Sequence, residues 1–306
     1  MSPTVLEVAT FAGASSLPLF VASERGHFER TGLDVRLTTV KSSDQLMNGL
    51  LDGTFAIVHS APDNFIAWRD RTGAEILAWI GGAGGPLALV GGREVPDLEA
   101  LRGRSVAVDS PESGFVSTLR LILRAAAIPE SEVSLDPLGA TSLRYGALIE
   151  GRTSATMLTL PWSLLAVESG CRVLGEQADV IPRLQGSCGG SLAGWLSTNA
   201  DVADAYLRAL VAALTDLYTG SMPGEAVRRL LAARYEIEDR HAETVRRAFV
   251  DPVRGWPPSA LIDAEGMEAV CRLRSDAGRA PKSPPSTYYT FEPYLRLFGA
   301  STPAPR

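Results

Sequence analysis

Apolar and β-branched residues dominate TVLEVAT (residues 4–10) and predict a strand, which Gly13-Ala14-Ser15-Ser16 turns into a helix over LPLFVASERGHF. LDVRLTTV (33–40) predicts a second strand, and SSDQLMNGLLDG a helix capped by Ser43 or Asp44 and stopped at Gly53. FAIVHS (55–60) predicts a third strand, PDNFIAWRDRTG a helix and EILAWIGG a further strand. Strands alternating with short helices imply an α/β architecture on a largely parallel sheet.

After the glycine-rich stretch GGAGGPLALVGG (81–92), residues 95–128 predict helix, strand, loop and helix. EVSLDPL, TSLRYGALIEGR and SATML then predict strand, helix and strand. A shift of 98 residues superposes Val35 on Val133, Leu37 on Leu135, Ser43 on Thr141, Leu50 on Leu148, Asp52 on Glu150 and Gly53 on Gly151. Two similar α/β lobes give such a pattern, or one supersecondary unit used twice. In the first case the strand ending at His59 has its counterpart near Met157 to Thr159, and both ends face one crevice. SLAGWLST (191–198) predicts a strand and NADVADAYLRALVAALTDLYTG a long amphipathic helix capped by Asn199 or Asp201. The tail STPAPR is expected to be disordered.

At 306 residues the chain exceeds the size at which one core usually divides, so two lobes are expected. It is 45% hydrophobic and 21% charged, with mean hydropathy +0.07, the values of a soluble globular protein. A net charge of −6 without any Lys/Arg run argues against a nucleic-acid partner. No Lys or Arg precedes Arg25 and Glu7 interrupts the first apolar run, so no export signal is read. No stretch has the roughly 20 apolar residues of a membrane span. The expected location is cytoplasmic for the chain as written and periplasmic if a leader was removed. The histidine spacings lack a metal motif and GGAGG lacks the lysine of a phosphate loop, so neither a metal nor a cofactor is expected.

PLFVASERGHFERTGLDVRLTTV resembles the entry of NitT/TauT-type solute-binding proteins of ABC transporters, the SsuA/THI5-like group, where G-x-F-x-x-x-G-L precedes the second strand. LLDGTFAIVHSAPDN is similar to that group's next strand, with Phe55 or Ala56 where an Asp is common. LEALRGRSVAVDSPESG resembles its entry into the second lobe, and SLAGWLSTNADVADAYLRAL its return strand and long helix. The resemblance implies a type II periplasmic-binding-protein-like α/β fold: two lobes joined by a hinge, with a ligand cleft between them. Lobe one would be residues 1–88 with 190–306 returning to it, and lobe two 89–189. Gly91, Gly92, Gly189 and Gly190 are the candidate hinge positions.

Within that frame Ala14, Ser15 and Ser16 stand where strand meets helix, and their N–H groups and hydroxyls suit an oxyanion or, equally, a helix cap. Ser110, Ser113 and Gly114 repeat the arrangement in lobe two. His59 leaves a buried strand beside Ser60, Asp63 and Asn64, convergent polar groups of the kind a pocket needs. A hydrogen-bonded core histidine and a helix start at Asp63 are the structural alternatives. Trp162, after Thr159 and Pro161, is placed by the repeat on the opposing wall, to sandwich a planar or apolar ligand or to pack in the core. Cys188 lies among glycines at the second crossing.

The leading expectation is a binder of a small organic solute, anionic or aromatic, that delivers it to an ABC permease. The alternative is a cytoplasmic enzyme on the same fold, a lyase, decarboxylase, desulfinase or hydrolase using His59 and Cys188. The fold's desulfinase carries its cysteine in the first loop, where this chain has Ala14 and Ser15.

Overall fold

A computed structural model describes residues 3–83, 87–111, 113–251 and 255–299. Among the described residues the ten strands are β1 (Thr4–Phe11), β2 (Leu33–Val40), β3 (Ile57–Ser60), β4 (Ile76–Gly81), β5 (Ala88–Gly91), β6 (Arg104–Val108), β7 (Val133–Pro137), β8 (Ala155–Leu158), β9 (Arg172–Glu176) and β10 (Cys188–Leu192). The helices through the second sheet are α1 (Leu17–Glu24), α2 (His27–Arg30), α3 (Ser43–Leu51), α4 (Pro62–Thr72), α5 (Gly114–Ala125), α6 (Thr141–Ile149), α7 (Trp162–Glu168) and α8 (Gln177–Val180). Beyond β10 follow α9 (Ala193–Thr198), α10 (Ala200–Thr219), α11 (Gly224–Tyr235), α12 (Asp239–Phe249), α13 (Ala264–Asp276) and α14 (Glu292–Phe298).

The chain separates into two compact units: Met1–Gly85, Leu184–Glu268 and Pro281–Arg306 form unit 1, and Pro86–Arg183 with Ala269–Ala280 form unit 2. The segment 269–280, placed by the sequence with the first lobe, clusters with unit 2, the division falling inside α13. The expected first boundary, between residues 88 and 89, falls within β5, which lies wholly in unit 2, and the STPAPR tail lies outside the described residues.

Unit 1 is built on a five-stranded sheet in the order β2-β1-β3-β10-β4. β1, β2 and β3 run parallel and β10 runs against both β3 and β4. Helices cover both faces, which is why β3 is buried at all four positions and reads as a continuous apolar run instead of an alternation. The largest covering element is α10, whose Ala203, Tyr206, Leu207, Leu210, Ala213, Leu214 and Leu217 recur at three- and four-residue spacing and are all buried. Its Gly220 ends it in the left-handed conformation.

Unit 2 repeats this plan. Its sheet has the order β7-β6-β8-β5-β9, with β5 antiparallel to both neighbours. Val8 pairs with Ile57 and, 98 residues on, Val106 pairs with Ala155. Leu6 pairs with Val35 just as Arg104 pairs with Val133. Even the irregularity recurs: the register slips between Gly189 and Gly190 in unit 1, and between Leu89 and Val90 in unit 2. The two sheets therefore share order, direction, register and bulge. Leu89, Val106, Val108, Val116, Leu119 and Ile122 fill one face of the second sheet, and Val90, Leu148, Leu158 and Ala166 the other.

Two sequence expectations are corrected. SLAGWLST is not one strand: the strand is Cys188–Leu192, and Ala193–Thr198 turns helical. Gly91, Gly189 and Gly190 lie inside strands, not at crossings. A Cβ at Gly190 would stand 2.2 Å from Leu77 O and 2.4 Å from Phe65 Cε1, and one at Gly189 would stand 2.6 Å from His59 Cε1. These glycines serve close packing of β10 against its neighbours.

Candidate functional site

In each unit the carboxyl ends of the parallel strands deliver the chain into helix starts, and most of the polar candidates gather there. In unit 1, Ser16 is 1% exposed, its hydroxyl 2.7 Å from Thr10 Oγ1 and donating to Phe11 O at 2.8 Å. The Tyr235 hydroxyl donates to Gly13 O. Thr10, Ser16 and Tyr235 thus lock the first loop, while Ser15 stays half-buried at its surface and Ala14–Ser16 forms a 3-10 turn. Ser16 serves the loop itself.

Beside it, Asn64 Nδ2 donates to Ser60 Oγ at 2.7 Å and to Ser43 Oγ at 3.1 Å, joining the end of β3 to the starts of α3 and α4. Ser42, one residue before the expected cap, caps α3 by accepting from Gln45 N at 3.1 Å. Asp63 is buried in the first turn of α4.

His59 points elsewhere. Its Nε2 lies 2.9 Å from the Tyr206 hydroxyl, and Tyr206 stacks on Phe28 at a centroid distance of 5.3 Å. Burial pushes His59 down to about 3 and pushes the Tyr206 phenol well above its ordinary range. His59 is neutral at neutral pH, a core histidine. The folded state thus resists protonating this group, so its contribution to stability is full above pH 6.5, the ordinary value, and is lost as the pH falls toward 3. Between pH 6.5 and 5 the wild type is expected to lose about 2 kcal/mol more than His59→Gln in urea unfolding.

Cys188 pairs with Ser60 in the antiparallel ladder and Gly189 pairs with His59. Because successive strand residues alternate faces, Cys188 and His59 lie on opposite faces of the sheet. Cys188 is fully buried and its thiol is pushed well up by burial. The dyad required by the enzymatic alternative is not formed, and a buried neutral thiol is a poor nucleophile.

In unit 2, Ser113 caps α5: its Oγ accepts from Val116 N at 3.2 Å and donates to Asp109 Oδ1 at 2.5 Å. Ser110 O accepts from Ser113 N at 3.1 Å, and Ser110 itself is exposed. Arg279, from the segment that joins unit 2 late in the chain, donates to Ser113 O at 3.3 Å and to the Ser117 hydroxyl. Gly114 begins the helix and its carbonyl accepts from Thr118 Oγ1 at 3.2 Å. Thr159 is half-buried and its carbonyl accepts from Ser163 N at 3.1 Å, leading into Trp162 at the start of α7. Trp162 lies against Tyr145 at 5.3 Å between ring centroids.

Arg144 escaped the sequence reading. It is 1% exposed and donates through Nε to Gly139 O, through Nη1 to Thr156 Oγ1 and Met157 O, and through Nη2 to Thr141 Oγ1, at 2.6 to 3.2 Å. Burial lowers its pKa while the nearby Asp109 charge raises it. The 98-residue shift carries the signal: Arg144 stands where unit 1 has buried Leu46.

Among the described residues there is no group of three or more His, Cys, Asp or Glu placed to hold a metal, and no helix long and apolar enough to cross a membrane. The three cysteines are free thiols.

No family model and no curated protein matches the chain. Solved structures do. The ligand-binding component of an ABC-type import system from Staphylococcus aureus superposes with a TM-score of 0.80 at 12% identity, over 97% of this chain and 100% of that one. The periplasmic nitrate-binding protein NrtA from Synechocystis gives 0.78 at 15%, over 98% and 89%. The alkanesulfonate-binding protein SsuA from Xanthomonas axonopodis, bound to MOPS, gives 0.75 at 16%, over 92% and 96%. The fold of this chain is the two-lobed periplasmic-binding-protein fold.

Proposed function

We propose that the chain binds a small organic solute, anionic or aromatic, in a ligand cleft, as the substrate-binding component of an ABC-type uptake system. The observation that carries this reading is the duplicated sheet, which gives each unit a polar carboxyl edge of the same design. Open α/β sheets bind ligands at that edge. Ser15, Asn64, Ser110, Thr159 and Trp162 are candidates at these edges whose side chains are not fully buried, and they are assigned to the ligand. Ala14 and Gly114 offer backbone, whereas Ser16, Ser60, Asp63 and Ser113 hold the loops in place. Two of the similar structures are described as binding nitrate or an alkanesulfonate, which supports an anion. A permease is the partner of this reading and the periplasm its location.

Calorimetry and thermal shift against ethanesulfonate, nitrate, benzoate and uracil test it. At least one probe is expected to bind with one site per chain and to raise Tm. Trp162→Ala is expected to weaken that binding about tenfold, as loss of an aromatic wall does. Chemical conversion of the bound probe would overturn the reading.

A further inference from the structure

Trp256, in unit 1, carries a donor that its surroundings leave unused. The residue is 1% exposed, yet its Nε1 finds no acceptor among the described residues. By contrast, Trp79, a second buried tryptophan of the unit, donates to Ser191 Oγ at 3.1 Å. The Trp256 ring is held firmly: it stacks on Phe249 with centroids 6.3 Å apart at 22°, its backbone N–H donates to Phe249 O at 3.1 Å, and its carbonyl accepts from the Tyr218 hydroxyl. Rotation of the ring to find another acceptor would break its stack on Phe249.

The edge carrying the free N–H has a defined place. A Cβ on Gly82 would stand 3.0 Å from Trp256 Cζ2, and Cζ2 and Nε1 are bonded to the same ring carbon. Gly82 directly follows β4, so this ring edge meets the sheet at the carboxyl edge to which Ser60 and Asn64 also belong. Polar groups there are committed to each other: Gly82 N donates to Ser187 O at 2.9 Å, Gln185 Nε2 donates to Gly82 O and Ser187 O at 3.3 and 2.8 Å, and Ser187 Oγ donates to Ala83 O at 3.4 Å. A side chain at position 82 would also crowd this spot, since its Cβ would fall 2.3 Å from Ser187 Oγ.

A buried donor without an acceptor is unfavourable, and an indole N–H only donates. We propose that Trp256 Nε1–H is a recognition donor of unit 1 for an oxygen of the bound solute, a carboxylate, sulfonate or nitrate oxygen. This rests on the solute-binding reading above and adds to it a residue and an acceptor chemistry. Uracil or another ligand offering a carbonyl oxygen satisfies the donor less well, because a charged acceptor makes the stronger hydrogen bond.

The test uses the full chain with ¹⁵N-labelled indoles, titrated with ethanesulfonate, nitrate and benzoate alongside calorimetry. Trp256→Phe, which keeps the stacked ring, assigns the Trp256 resonance by its disappearance. The expected result is that the Trp256 indole proton moves downfield on saturation with a probe that binds, and that Trp256→Phe binds that probe about tenfold more weakly. If a probe binds the wild type but the Trp256 resonance stays in place, or Trp256→Phe binds it equally well, the assignment of Trp256 is overturned while solute binding stands. If none of the three anions binds the wild type, the assignment of Trp256 is overturned, and if uracil fails to bind as well the solute-binding reading falls with it.

Discussion

Gly190→Ala is expected to lower the unfolding free energy by about 3 kcal/mol, the upper end of what one inserted methyl costs in a packed interior. The Cβ would meet Leu77 O at 2.2 Å, Phe65 Cε1 at 2.4 Å and Ala78 Cα at 3.0 Å. Two of these three atoms are backbone of β4, and backbone cannot rotate aside as a side chain does. The effect comes from packing and not from the bulge, because unit 2 places Val90 at the equivalent step of its own ladder. Gly146→Ala, in α6 with no atom within 4 Å of its Cβ, is the matched control and is expected to be neutral or to stabilise by up to about 1 kcal/mol. Guanidinium unfolding of the two variants checks the contrast. An equal effect of both would show that β10 has room it does not display.

Arg144→Leu installs the residue that unit 1 uses at the equivalent position, Leu46. Hydrophobic logic alone would make this change favourable. We expect the opposite, a loss of about 3–5 kcal/mol, because the guanidinium is the donor to Gly139 O, Met157 O and Thr141 Oγ1 and the substitution strands these acceptors. It also leaves Asp109 without the charge that faces it. Arg144→Lys is expected to recover little, since one ammonium cannot reach acceptors arranged around a planar fork. Urea denaturation of both variants reads the result, and a Leu variant as stable as the wild type would refute it.

Where the sequence was informative and where it was silent follows from what each residue type can signal. The 98-residue shift was legible because strand and helix periods are local, and the structure carries the same shift through the pairing of Val8 with Ile57 and Val106 with Ala155. β10 was not legible as far as Gly189 and Gly190, because glycine has the composition of a loop, and its reason for being in a strand is the bulk of His59 and Phe65 opposite. At the site, spacing placed the candidates at strand ends but could not tell which face each side chain takes. Serines at a strand-to-helix turn suit a cap as well as a ligand, so Ser113 turned out to cap α5, and Ser16 to brace its own loop. His59 was a face error of the same kind: one residue further on, Ser60 reaches the edge, while His59 meets Tyr206 inside. Arg144 was missed because its acceptors on β8 come within reach only once the sheet has folded, and Trp256 because an unused donor shows only when the fold surrounds it.

The late return of residues 269–280 to unit 2 bears on how the chain comes off the ribosome. When Arg183 emerges, the second sheet is complete but the segment bearing Arg279, which ties down the first turn of α5, is still unmade. At ribosomal speeds of about 5–20 residues per second, that gap lasts roughly 5–20 s. During it, unit 2 waits with the α5 surface uncovered while unit 1, itself interrupted, awaits its own closing strand and helices. Synthesis therefore finishes both units within the last stretch of the message, and a stop codon placed before residue 269 would leave an incomplete nascent chain for chaperones or proteases to handle.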